Sequence, residues 1–349
     1  MKTQVVKITD PQKQSQDVKH AADIIRDGGL VAFPTETVYG LGGDATNPLS
    51  SKKIYDAKGR PSDNPLIIHI AEPSDAEAYA YTNHVYYKLA EAFMPGPLTV
   101  ILPKKETVPY ETTGGLDTVA VRCPSHPIAH AMIKAAGVPI AAPSANISGR
   151  PSATSAKYVV EDFNGRVDMI VDSGDCEIGL ESTIVMIDEK ISDEGIVLLR
   201  PGAITYDALC CVCKDVLISP NIEGALGENE RPISPGMKYK HYAPAAPLVL
   251  LDGDDESFIS YLSNEQKNKN CAILCYDEDI SKLDDKLLLT IGPKGDVATQ
   301  SRRLFSRLRE CDELKPDIIY AHLPDKNGLG LALYNRMIRA AAHTVIKID

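Results

Sequence analysis

Short apolar runs that break off into polar turns constrain this chain more than any other feature. LVAF (30–33), PLIIHI (65–70), LTVILP (98–103), TVAVRCP (118–124), VPIAAPSA (138–145), MIVDSG (169–174), STIVMI (182–187) and GIVLLRPG (195–202) are of this kind. Each is too short for a helix and rich in β-branched residues, so each reads as a strand. Between them lie helical patterns. Residues 15–28 carry Val18, Ala21, Ala22, Ile24 and Ile25 on one stripe, closed by Gly28-Gly29, and further patterns fall near 50–58, 74–93, 126–136 and 154–161. The mixture predicts an α/β domain around a large mixed sheet. Several strands end in Ser/Thr/Arg-rich turns, where ligands collect in open α/β sheets.

From about 216 to 246 the character changes. LISPNIEGALGENERPISPGMKYKHYAPAAP is rich in Pro, Gly and turn formers and has little apolar periodicity. Its segment PGMKYKHYAP nonetheless packs two lysines, a histidine and two tyrosines together, more chemistry than a spacer needs. Beyond it, PLVLL (247–251), CAILCY (271–276), KLLLTI (286–291) and DIIYAHLP (317–324) alternate with helical stretches at 256–268, 297–313 and 329–341. In the stretch 297–313, Val297, Leu304, Phe305, Leu308 and Cys311 share a face. This alternation predicts a small parallel sheet of Rossmann-like form. The layout expected is therefore a first domain over 1–215, which the resemblance given below makes the catalytic one, a linker over 216–246 and a C-terminal domain over 247–349. No GxGxxG follows the first strand of the last domain, so dinucleotide binding is not indicated.

Composition narrows the function. A net charge of −11 argues against a protein that coats nucleic acid by bulk attraction. The start, MKTQVVKITDPQKQ, shows no apolar core of signal-peptide length, so a cytoplasmic chain with its eight cysteines as thiols is expected. Cys210, Cys211 and Cys213 cluster without a matching pair at zinc-site spacing. No P-loop, HExxH, GxSxG or kinase signature occurs.

What remains is a set of polar strand-end segments. KGRPSDNP holds Lys58, Arg60, Ser62 and Asn64 just before a strand. It is either a solvated turn or an anion cradle, in which arginine supplies a planar fork, lysine a point charge and Gly59 room for close approach. APSANISGRPSAT sets Ser144, Asn146, Ser148, Ser152 and Thr154 around Gly149 and two prolines. That pattern fits a capped helix start, whose free N–H groups also suit a phosphate. Arg122 closes an apolar strand as a surface charge or a carboxylate clamp. His69, flanked by isoleucines, reads as a buried, hydrogen-bonded core histidine.

FPTETVYGLGGDA, KGRPSDNPLIIHI, MPGPLTVIL, TVAVRCPSHP, APSANISGRPS, ESTIV and LLRPG occur here in the order found in YrdC-type threonylcarbamoyl-AMP synthases. SPGMKYKHYAP is similar to the linker of the long form, which carries an additional C-terminal domain. The resemblance is dense over 15–245, and beyond that it rests on pattern and on NGLGLALYNRMIRAA. It implies a YrdC-like twisted mixed sheet with a deep basic cavity on one face. It also implies synthesis of threonylcarbamoyl-AMP and pyrophosphate from L-threonine, bicarbonate and ATP with Mg²⁺, for threonylcarbamoyladenosine modification of tRNA next to the anticodon. Carried over residue by residue, Thr37, His69, Arg122, Ser144 and Ser182 would hold threonine. Arg60, Asn64, Thr118, Asn146, Thr154, Arg200 and His241, or a linker neighbour of His241, would hold ATP. Lys58 and Arg60 would do the charge-neutralising work of catalysis, and Mg²⁺ would ride mainly on the ATP phosphates. The implied partners are tRNA-modification proteins that accept the product, with direct tRNA binding weak or absent.

Two rivals stand beside this reading. An RNA-binding module would use the same basic residues without chemistry, but basic-aromatic patches are missing. A carbamoyl-transfer enzyme of the hydrogenase-maturation type would need zinc-finger and acylphosphatase regions, and neither is visible.

Overall fold

The computed structural model describes residues 2–222, 224, 232–235, 241–265, 270–283 and 287–349. Much of the expected linker, residues 225–231 and 236–240 of the SPGMKYKHYAP motif included, lies outside them, as do the end of the 256–268 helix and the first residue of the 286–291 strand. The chain divides into two compact units. The first comprises Met1–Ser148, Ala153–Glu177 and Glu181–Lys238, and the second Gly149–Ser152, Ile178–Leu180 and Tyr239–Asp349.

The first unit is built on one mixed sheet. Its strands are β1 (Gln4–Lys7), β2 (Val31–Phe33), β3 (Gly40–Asp44), β4 (Ile67–His69), β5 (Leu98–Pro103) and β6 (Thr118–Arg122). They continue with β7 (Ile140–Ala141), β8 (Met169–Asp172), β9 (Thr183–Ile187), β10 (Gly195–Arg200) and β11 (Asp215–Ile218). The order across the sheet is β1-β8-β2-β3-β7-β4-β6-β5-β9-β10-β11. Parallel pairs such as β4/β6 and β5/β9 mingle with antiparallel ones such as β5/β6 and β9/β10. Helices Ser15–Arg26 and Pro127–Ala136 pack on the sheet through Val18, Ala22, Ile25, Ile128, Met132 and Ile133, which meet Val31, Phe33, Ile140 and Met169 in one buried cluster. Helix Pro48–Lys58 starts where Asn47 accepts the Leu49 N–H (3.0 Å) ahead of Pro48, and stops at Gly59 with φ +62°.

Three strands of this unit were not expected. β1 and β11 are edge strands, largely exposed, so they lack the apolar signature. β3 is GLGGD, which has no apolar run to mark it as a strand. Its glycines are there because a Cβ at Gly42 would sit 2.7 Å from both Phe33 and Ile140, and one at Gly40 3.3 Å from Phe33 and Ala142.

The second unit carries five parallel strands, β12 (Leu248–Asp252), β13 (Cys271–Tyr276), β14 (Leu288–Gly292), β15 (Ile318–His322) and β16 (Val345–Lys347), in the order β14-β13-β15-β12-β16. Val249, Leu251, Ile273, Cys275, Tyr320 and Phe258 form its core. Its long helix, Val297–Leu314, is capped by Asp296 accepting the Thr299 N–H at 2.9 Å. Among the described residues no helix is long and apolar enough to cross a membrane.

Candidate active site

Strand register assembles the candidate residues in rows. His69 on β4 lies opposite Arg122 on β6, and Arg122 lies opposite Thr99 on β5. The next row on the same face is apolar: Ile67, Ala120 and Ile101, which cluster with Ile184 and Leu199. One row further, Thr118 pairs with Pro103. Four residue steps along the strand carry Thr118 to Arg122, roughly 13 Å. On this face the apolar floor therefore lies between the His69, Arg122 and Thr99 row and Thr118.

At the Arg122 end the side chains interlock. Thr99 Oγ1 and Ser182 Oγ share a hydrogen bond of 2.8 Å. Arg200 donates from Nε to the Ser182 carbonyl (3.0 Å) and from Nη2 to its hydroxyl (3.1 Å). The Arg122 Nη2 meets Glu36 Oε1 at 2.7 Å, with both side chains nearly dry. Burial works to raise the Glu36 pKa, but the Arg122 charge and hydrogen bond outweigh it and hold the carboxyl below its ordinary value. Among the described residues neither Glu36 Oε2 nor Arg122 Nε has a hydrogen-bond partner. His69 is buried, its Nδ1 3.2 Å from the Ile140 carbonyl and its ring edge-on to Phe33. Burial first, and the Arg122 charge second, lower its pKa to about 3, so the ring is neutral at physiological pH. Thr37 is fully buried, and its hydroxyl bonds Thr35 Oγ1 at 2.9 Å.

A second group forms around Lys58. Its ammonium donates to the carbonyl of Ser144 at 2.6 Å and to that of Asn146, while the Ser148 N–H returns a bond to the Lys58 carbonyl (2.9 Å). Lys58 thus ties the KGR turn to the SAN loop. Arg60 donates to the carbonyls of Asn64 (3.2 Å) and Pro65 (3.0 Å). Gly59 between them has φ +62° and nothing within 4 Å of an added Cβ, so its backbone sign is what requires glycine there. The Ser144 hydroxyl donates to Asn146 Oδ1 at 2.6 Å. Asn64 is buried with Oδ1 lacking a partner among the described residues; Thr154, eight residues after Asn146, is also buried, its carbonyl accepting from Cys176 N–H at 2.8 Å. His241 is half-buried and belongs to the second unit.

Two features escaped the sequence reading. Glu36 sits in FPTETVYG, where no periodicity marks it, and its partner is 86 residues away. The other is the burial of the cations: Lys58, Arg60, Arg122 and Arg200 are 2%, 9%, 4% and 7% exposed. Four dry basic side chains in one unit of an acidic chain are costly unless anions or dipoles meet them. None of the candidate residues lines the recess of about 740 Å³ beside Lys53, Asp56 and Arg166.

Residues 23–202 match the Sua5/YciO/YrdC family, described under telomere recombination, and residues 204–342 match the threonylcarbamoyl-AMP synthase C-terminal domain. The chain is 43% identical to the threonylcarbamoyl-AMP synthase of Bacillus subtilis, over 99% of its own length and 97% of the relative's. It is also 43% identical to that of Pyrococcus abyssi, over 95% and 96%. The crystal structure of P. abyssi Sua5 complexed with L-threonine superposes with a TM-score of 0.91 at 39% identity, covering both chains completely. Escherichia coli YciO matches 58% of this chain and 96% of its own at a TM-score of 0.50 and 24% identity, a likeness of fold. Fold and relatives define an α/β enzyme of the nucleotidyltransferase class with a YrdC-like domain. Within that class, the chain belongs to the threonylcarbamoyl-AMP synthase family, in the form that has the additional C-terminal domain.

Proposed function

We propose that this enzyme condenses L-threonine, bicarbonate and ATP into threonylcarbamoyl-AMP and pyrophosphate, in the cytoplasm, for threonylcarbamoyladenosine formation in tRNA. The observation that carries the reading is two groups of buried polar and basic side chains within the first unit. The His69, Arg122, Thr99 and Ser182 group suits an amino acid, and the Lys58, Arg60, Asn64 and Asn146 group suits a nucleotide. Arg122 Nε and Glu36 Oε2 offer a donor and an acceptor, the complement of an α-carboxylate and an α-ammonium. The P. abyssi relative has been crystallised with L-threonine.

The chemistry follows from charge. Threonine's amine loses a proton and combines with bicarbonate, with loss of water, to give an N-carboxylate. A carboxylate oxygen then bonds to the α-phosphorus of ATP as the bond to pyrophosphate breaks. Two anions must meet, so the site must neutralise both, a role for Lys58, Arg60 and Arg200. Neutral His69 can accept or donate a hydrogen bond without adding charge. The candidate donors are cationic or neutral, and among the described residues no cluster of His, Cys, Asp and Glu could cage a metal. They fit a Mg²⁺ that arrives on the nucleotide phosphates and would offset their charge. The product passes to an acceptor protein of tRNA modification.

Pyrophosphate release with each amino acid in turn tests this. Threonine should support release, and serine should be slower by about 10–200-fold for the lost methyl. 2-Aminobutyrate, which lacks the hydroxyl, should be worse still. Equal rates with threonine and 2-aminobutyrate would sink the reading.

A further inference from the structure

The long helix Val297–Leu314 turns one stripe of side chains toward segments remote in sequence. Arg302, Phe305, Arg309 and Asp312 follow at intervals of three and four, so they share a face. Arg309 is 2% exposed and donates from both Nε (3.1 Å) and Nη2 (2.7 Å) to the carbonyl of Pro151. Arg302 backbone lies directly against Gly179, where φ is +80° and an added Cβ would collide with it. Phe305 packs on the Tyr242 ring at 5.1 Å, and Asp312 accepts the Ala245 N–H at 2.6 Å. The Ala243 N–H donates in turn to the Gly149 carbonyl at 2.9 Å. All of these residues belong to the second compact unit, which takes in Gly149–Ser152 and Ile178–Leu180.

Those two short segments are what give the stripe its meaning. Gly149–Ser152 is the stretch between Asn146 and Thr154, and Ile178–Leu180 runs into Glu181 and Ser182. Neither has a strand or helix of its own to fix it. We infer that the helix Val297–Leu314 is a positioning element for catalysis: Arg309 sets the Asn146–Thr154 loop on the nucleotide side, and the Arg302 contact sets the approach to Ser182 on the amino-acid side. The inference rests on the substrate assignments proposed above. A buried guanidinium spent on a loop carbonyl gives less stability than apolar packing, and what it adds is a defined loop geometry. A displacement of about 1 Å in a site residue can cost on the order of 100-fold in rate.

The full-length enzyme, Arg309→Ala, Arg309→Lys and Gly179→Ala are compared by amide hydrogen exchange and by steady-state kinetics. In Arg309→Ala, exchange over 146–154 should rise about tenfold, the scale of a lost charged hydrogen bond, while β4–β6 stay protected. Its KM for ATP should rise about 10- to 100-fold with the threonine KM within about twofold, and Arg309→Lys should recover part of both. Gly179→Ala should shift the balance the other way, toward the threonine KM. Unchanged exchange over 146–154 in folded Arg309→Ala would overturn the inference, as would equal losses for both substrates in both variants. If Arg309→Ala does not fold, Arg309→Lys stands in for it, with intermediate exchange expected and wild-type exchange fatal. A wild-type enzyme without threonine-dependent pyrophosphate release would refute the substrate assignment instead, and the exchange data would still decide whether Arg309 holds the loop.

Discussion

Arg122 and Glu36 show how much of this site is decided by single side chains. Each is more than nine-tenths buried, and each leaves one polar atom without a hydrogen-bond partner among the described residues. Removing one partner strands the other charge in a dry setting, which typically costs about 3–5 kcal/mol. Glu36→Ala should therefore lose stability on that scale in urea titrations, and the Glu36→Ala/Arg122→Ala double variant should lose less than the sum of the singles. Additive losses would show that the pair is not coupled. His69 adds a pH dependence. Its folded pKa, about 3, lies below the ordinary 6.5, so on acidification the unfolded chain takes up the proton first. Stability should fall as pH drops from 6.5, by up to about 1.4 kcal/mol per pH unit from this group. Between pH 6.5 and 5, above the Glu36 transition, the wild type should lose more stability than His69→Gln. Parallel pH profiles would contradict this. The sequence marked His69 as buried and Arg122 as a possible clamp. It could not mark Glu36, because nothing local in FPTETVYG distinguishes a glutamate facing water from one facing an arginine 86 residues on.

At the scale of elements, the apolar runs fell on strands wherever both faces were buried. LTVILP is β5 over its whole length, and CAILCY is β13. These runs have enough β-branched and apolar content to declare themselves. β3 does not, because its composition answers to packing. Gly40 and Gly42 leave room for Phe33, Ile140 and Ala142, and a strand of GLGGD carries no hydrophobic alternation to read. Gly42→Ala should then overpack this region and cost about 1–3 kcal/mol, measured by chemical denaturation. Gly137, which has φ +66° but nothing within 4 Å of an added Cβ, is the comparison; Gly137→Ala should cost only the backbone strain, about 1 kcal/mol. A smaller loss at Gly42 than at Gly137 would contradict the packing explanation. The candidate site was legible as motifs but not as geometry. The sequence could not tell that Lys58 would bond the carbonyls of Ser144 and Asn146, 86 and 88 residues away.

For the whole molecule, the sequence distinguished a large mixed sheet from a smaller parallel one because a Pro/Gly-rich stretch parts two sets of apolar runs, and beyond it strands and helices alternate regularly. It could not show that two short segments of the first half, Gly149–Ser152 and Ile178–Leu180, cluster with the second unit, since such contacts leave no periodic trace. The central claim is that this chain makes a carbamoylated threonine joined to AMP. Incubation with ATP, threonine and ¹³C-bicarbonate, followed by mass analysis of the nucleotide fraction, tests it most directly. The expected product is threonylcarbamoyl-AMP carrying the label, formed mole for mole with pyrophosphate and only when all three substrates are present. A nucleotide product without the label, or pyrophosphate released without threonine, would contradict it.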